Sequence, residues 1–180
     1  MFKTIIIGAG FFGEKRALAI QKSRLGQLLG VSDSDSDKAS KLAKKNSVQS
    51  FAIDRVLAEP SDVVIVAVPN RYHHAITIAA LESGKHVLCE KPMALTTKEA
   101  QQMVDISHKT GKFLKVGSNH RYFHSVIRAH QIFQNGEIGE IVSFNGRIGN
   151  NGERIKNSWF WDKNISGGGT LLDNGCHLID

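Results

Sequence analysis

KTIIIGAGFFG, residues 3–13, joins a short β-favouring run to glycines at 8, 10 and 13 in the spacing G-x-G-x-x-G. A continuous apolar run predicts a strand over 3–7 buried on both faces, and the segment that follows predicts a helix over 12–23. Between a strand and a helix, Gly8 permits the tight turn, Gly10 lets a pyrophosphate approach the backbone, and Gly13 lets helix pack closely on strand. Phe11 and Phe12 fill the two free positions and lead into a helix N-terminus that carries partial positive charge. Asp33 stands twenty residues after Gly13, at the end of a second predicted strand over 27–32. A carboxylate there can accept both ribose hydroxyls of an adenosine. The alternative is a purely structural glycine turn, with Asp33 capping the next helix.

Asp33 also bears on which dinucleotide is bound, because its charge repels a 2′-phosphate; NAD is expected over NADP. Ser34 with Lys38, Lys41, Lys44 and Lys45 is the counter-argument, although such a charge run reads as a solvated helix face. Alternating Asp33, Asp35 and Asp37 suggest a calcium loop, but Lys38 stands where its Gly belongs and Lys44 where its Glu belongs.

Outward from this turn, strands are predicted at 47–51, 62–68, 86–89 and 112–117, with helices at 37–46, 71–83 and 97–110, the last capped by Thr96 or Thr97. Strands buried on both faces and separated by helices imply an α/β fold with a doubly wound parallel sheet and right-handed crossovers. After about residue 120 the pattern changes to a helix over 125–135, a turn at NGEIGE and a longer strand over 140–149. The domains are therefore read as 1–120, which binds the dinucleotide, and 121–180, the incomplete start of a second, α+β unit.

Composition narrows the classes further. The chain has 180 residues, 41% hydrophobic and 22% charged, which excludes whole-chain disorder. Its longest strongly apolar run, VVIVAV at 63–68, is far short of the roughly 20 residues that span a bilayer. No secretory core or cleavage site follows the first Lys, so a cytoplasmic location is expected. Cys89 and Cys176 lie too far apart in sequence for a C-x-x-C motif and are read as buried or idle thiols. The net charge of +6 suits an anionic ligand such as a nucleotide. Nucleic acid is not expected, because the basic residues are scattered and no reading helix or stacking platform is evident.

The segment VAVPNRYHHAITIAALESGKHVLCEKPMAL brings a resemblance into view. Its pieces PNxxH (Pro69, Asn70, His73), ALxxGKHV (80–87) and CEKP (Cys89 to Pro92), then VGSNHRY, GEIGEI and GGGTLLDNGCHLID, resemble the Gfo/Idh/MocA oxidoreductases in order and spacing. The resemblance implies a Rossmann domain for NAD or NADP followed by an α+β substrate domain. It implies that Lys91 is catalytic, that the Lys91–Pro92 bond is often cis, and that Asp173 and His177 belong to the active site. It places Pro69, Asn70 and His73 by the cofactor, with His73 near the nicotinamide or shaping that loop, and substrate contacts near Asn119, Arg121 and Tyr122.

Residue chemistry agrees with these roles. Glu90 and Lys91 follow the fifth strand at its carboxyl end, where ligands sit in open parallel sheets, so both are assigned to the cofactor side. Lys91 can hydrogen-bond a substrate oxygen, with Glu90 as its opposite charge. Asp173, His177 and Asp180 line one face if their segment is an α-helix. His177 can exchange a proton near neutral pH, and Asp173 can hold a substrate hydroxyl or orient the imidazole. His120 and His124 lack the Glu of H-E-x-x-H and a third ligand, so no metal is expected. Trp159, Phe160 and Trp161 are read as core packing before a sugar platform.

The function expected is hydride transfer between NAD(P) and a secondary hydroxyl or ketone of a sugar, polyol or sugar nucleotide. The alternative is a non-catalytic nucleotide-binding module or an inactive truncated fragment of such an enzyme. The resemblance implies a chain nearly twice this length, so a truncated product with an unpaired edge at 140–149, self-association as a homo-oligomer and weak activity is expected.

Overall fold

The computed structural model describes residues 1–149, 151–156 and 158–180. Six strands form one parallel sheet: β1 (Phe2–Ile7), β2 (Gly26–Ser32), β3 (Gln49–Ser50), β4 (Val63–Val66), β5 (His86–Cys89) and β6 (Leu114–Val116). Their order is β3-β2-β1-β4-β5-β6. The chain thus runs outward from β1 in one direction, returns to β4, and runs outward in the other. That reversal opens a crevice between the carboxyl ends of β1 and β4.

Helices α1 (Phe11–Lys22), α2 (Ser36–Lys45), α3 (His73–Glu82) and α4 (Thr97–Thr110) make the crossovers. Pleat alternation on β1 divides the core in two. Ile5 and Ile7 pack with Val64, Val66, Leu81, Val87 and Met103 on the side covered by α3 and α4. Ile6 points the other way, to Ala17, Leu28, Val31, Leu42 and Ile65 beside α1 and α2. Each fully buried Ile or Val contributes about 1.5–3 kcal/mol of transfer free energy, enough for the sheet to dominate the fold's stability.

Local signals set the helix ends. Asp35, not Asp33, caps α2, accepting from the N–H groups of Asp37 and Lys38 at 3.1 Å each. Thr96 begins α4 in a capping box with Glu99, and Gly111 ends it at φ +65°. Two predicted strands shrink, 47–51 to a two-residue β3 and 112–117 to a three-residue β6, because both are edges with one neighbour each.

The second unit differs more from expectation. Helix α5 (His124–Gln134) forms as predicted, but residues 141–149 have no strand. A strand exists only through pairing, and among the described residues no neighbour is placed beside this one. Its apolar side chains are accordingly open to solvent, Val142 at 96% and Phe144 at 75%. Short helices α6 (Lys163–Ser166) and α7 (Cys176–Ile179) follow, with a π-helical turn over Leu171–Gly175 where a plain α-helix was predicted. No described helix is long and apolar enough to cross a membrane.

Candidate cofactor and catalytic site

The loops after β1, β2, β4 and β5 carry the candidate residues at the carboxyl edge of the sheet. The glycine turn after β1 is fixed by the N–H of Gly8, which donates to the Ser32 carbonyl at 2.8 Å. Gly8 has φ +107°, and a Cβ there would lie 2.3 Å from the Ala67 carbonyl oxygen, so only glycine fits. A Cβ at Gly13 would meet the Gly8 carbonyl oxygen at 1.9 Å, the close helix–strand approach the spacing predicted. Gly10 is different: among the described residues nothing lies within 4 Å of a Cβ built there, and no side chain caps α1. Open space above a helix N-terminus is what a pyrophosphate requires. Phe11 and Phe12 begin α1, both exposed and packed edge to face at 5.3 Å.

Asp33 reaches back to this turn. Its Oδ2 accepts from the Ala9 N–H at 2.6 Å and its Oδ1 from the Asp35 N–H at 2.9 Å. The half-buried carboxylate therefore stands beside the open turn, where the adenosine ribose of a bound dinucleotide would lie. Two of the neighbouring lysines are engaged elsewhere, Lys38 with Asp35 at 3.0 Å and Lys45 with Glu14. That matches a solvated helix face.

The loops after β4 and β5 are tied together by buried side chains. His73 is fully buried, with Nδ1 2.8 Å from the Pro92 carbonyl and Nε2 2.8 Å from the Val68 carbonyl. Burial pushes its pKa down, against the pull of the two carbonyls. Of the two positions expected for His73, the geometry is the loop-shaping one, because a fully enclosed ring cannot touch a ligand. Asn70 is likewise buried and donates to the Ser166 carbonyl at 2.9 Å, while Pro69, half-buried, opens the same loop.

The Lys91–Pro92 bond is cis. Lys91 Nζ donates to the Asp173 carboxylate at 2.6 Å and to the Asp173 carbonyl at 2.8 Å. Glu90 is not its counter-ion, contrary to expectation: it turns back under the sheet edge and pairs with Arg16 of α1, Nε to Oε1 at 2.5 Å. Glu90 therefore ties this loop to α1. Arg16 went unnoticed in the sequence because a partner 74 residues away leaves no spacing signal.

Asp173, His177 and Asp180 do not act as one row either. Asp173 goes to Lys91, Asp180 makes a two-pronged pair with Arg121 at 2.6 Å for each bond, and His177 stacks on His120 with ring centroids 3.8 Å apart. The π-helical turn changes the angular step between these residues, so the even α-helical face dissolves. Burial, then His120 and Lys91, lower the His177 pKa, while Asp173 and Asp180 oppose the shift. Its Nδ1 is buried without a hydrogen-bond partner among the described residues. Arg121, expected near the substrate contacts, pairs with Asp180, whose carboxyl that pairing holds below the usual carboxylate range.

Both cysteines are free thiols; burial pushes Cys89 up to about 12, while Cys176 is half-buried and donates to the Asp173 carbonyl. Trp159 stacks on Phe160 at 4.1 Å, and Trp161 is 71% exposed, so the aromatic cluster is not the packed core expected. A cavity of about 370 Å³ lined by Phe2, Arg24, Leu25 and Asp62 lies at the opposite, amino-terminal edge of the strands. Ligands of open parallel sheets bind at the carboxyl edge, so this cavity is not the functional crevice.

Strand order, glycine turn and Asp33 together define a dinucleotide-binding Rossmann domain. The chain belongs to the Gfo/Idh/MocA oxidoreductase family, whose NAD-binding Rossmann domain matches residues 2–118 and whose C-terminal domain matches 126–180. It is 36% identical to D-glucoside 3-dehydrogenase of Escherichia coli K12 over 99% of this chain and 52% of that protein. Identity to glucose-6-phosphate 3-dehydrogenase of Bacillus subtilis is also 36%, over 100% of this chain and 52% of the relative. Among solved structures, levoglucosan dehydrogenase in complex with NADH and levoglucosan superposes with a TM-score of 0.84 at 28% identity, covering 99% of this chain and 52% of that one. The chain thus spans about half the length of these relatives.

Proposed function

We propose that the protein carrying this chain is an NAD-dependent dehydrogenase that oxidises a secondary ring hydroxyl of a glucose-type sugar, and that the domain boundary falls near residue 120. The observation that carries the reading is the meeting of Lys91 with Asp173, 82 residues apart in sequence, beside His177 and at the carboxyl edge of the sheet. The relatives' names point to the hydroxyl at position 3 of a hexose.

The residues present fit the dinucleotide: Gly10 leaves room for the pyrophosphate, and Asp33 offers the ribose a carboxylate that disfavours a 2′-phosphate, so NAD is preferred over NADP. A bound dinucleotide would supply the hydride acceptor for the carbinol carbon. His177 takes the hydroxyl proton as general base. Lys91 donates a hydrogen bond to the same oxygen as negative charge builds on it, and Asp173 holds the ammonium in place. The brace beneath, His73 to Pro92 and Glu90 to Arg16, fixes the Lys91 backbone so that alignment is set before substrate arrives.

NADH titration followed by a sugar screen at the nicotinamide absorbance band tests this. Lys91→Ala and His177→Ala should keep NADH affinity within about twofold and lose about 10²-fold or more in turnover. Undiminished turnover in His177→Ala removes it from the mechanism. NADH binding with no turnover on any sugar favours the nucleotide-binding module instead.

A further inference from the structure

Within the proposed mechanism, His177 must arrive at the substrate without a proton, and its surroundings contain one feature that role does not explain. The His120 ring lies flat against it, centroids 3.8 Å apart and planes 13° from parallel. Phe123 packs on the same His120 ring at 4.5 Å. His120 is thus held by Phe123 and by His177, and it comes from the turn after β6 (Asn119–Tyr122), a different element from the one that carries His177.

We propose that His120 is a positioning residue for His177, fixing the plane of the imidazole by stacking and, by its own charge, making a second proton on the pair unfavourable. The inference rests on the assignment of His177 as the base.

The charged groups facing His177 from every side make His120 the one that counts. Lys91, from the loop after β5, is neutralised by Asp173, from the π-helical turn. Asp180, at the end of α7, is neutralised by Arg121. With both ion pairs closed, His120 is the group among the described residues that lies flat against the His177 ring and opposes its proton by charge. Charge on the His120 ring opposes a proton on His177 across 3.8 Å and so lowers the His177 pKa. Stacking and repulsion together keep a neutral imidazole in a fixed plane, the state a general base needs.

Proton NMR titration of the 180-residue chain tests the proposal, with the His177 ring signal assigned by its loss in His177→Gln. In the native chain the signal should titrate below the ordinary histidine midpoint. In His120→Phe, which keeps an aromatic ring on the stack, its midpoint should be higher by on the order of one pH unit. His120→Ala should give the same upward direction, with added line broadening as the ring loses its plane. Superimposable His177 curves in the native chain and His120→Phe overturn the proposal. In the sugar assay, the acid limb of the rate profile should move upward by the same amount in His120→Phe. An unmoved limb beside a shifted NMR midpoint would count against His177 as the base, whereas an unmoved midpoint counts against His120.

Discussion

Removing Arg16 should expose how much the site depends on its brace. Its guanidinium is paired with a Glu90 carboxylate whose side chain is only 7% exposed, and no other hydrogen-bond partner reaches that carboxylate among the described residues. Gly117 closes the third side: a Cβ there would come within 2.8 Å of Glu90 Oε2 and 2.9 Å of Arg16 Nη2. Arg16→Ala therefore strands a buried negative charge, a change that costs about 3–5 kcal/mol when no relaxation is possible. Arg16 is itself 24% exposed, so water can enter part of the space it leaves, and about 3 kcal/mol is the expected loss. With a urea slope of about 2 kcal/mol per molar, the unfolding midpoint should fall by about 1.5 M. Adding Glu90→Gln to Arg16→Ala removes the stranded charge and should return at least half of that loss. A midpoint drop below about 0.3 M, or a double variant no better than the single, would refute the view that the pair carries buried charge.

Asp33→Ser should weaken NAD by about 1.5–3 kcal/mol, through loss of a charge-assisted hydrogen bond, and narrow the gap to NADP; calorimetry with both cofactors checks it, and equal native affinities would contradict it. Stability should decline as pH falls below about 6.5, because burial lowers the folded-state pKa of His73 and His177 while the unfolded chain takes up protons at the ordinary value. The stability these residues contribute is fully present above that pH and is lost toward the lower folded values, so urea midpoints measured from pH 7 to 5 should fall, and less steeply in His73→Gln.

The Rossmann half was legible because its signals are local. Ile5, Ile6 and Ile7 mark a strand buried on both faces, the glycines mark the turn that follows, and Thr96 or Thr97 marks a helix start, each within a few residues. Site partners were legible only where the residue type itself carries the chemistry, as with Lys91, Asp173 and His177. Their pairings were not. Glu90 beside Lys91 is the obvious ion pair in sequence, yet the strand end turns consecutive side chains to opposite sides and sends Glu90 to Arg16. Asp173 and His177 at a spacing of four suggest one helical face, but a π turn between them redirects each to its own partner. The strand foreseen over 140–149 failed for a related reason: apolar content favours a strand, but only a neighbour makes one.

A bound dinucleotide should lie over the turn at Gly10. Gly10 has φ −78° and ψ −166°, a conformation open to any residue, and empty space where a Cβ would stand. Gly10→Val should therefore leave the thermal midpoint nearly unchanged while filling the room the pyrophosphate needs. NADH titration of the native chain and of this variant is the direct measurement. A folded variant whose affinity falls at least about tenfold, about 1.4 kcal/mol, fits the account; a folded variant that binds NADH as tightly as the native chain contradicts it.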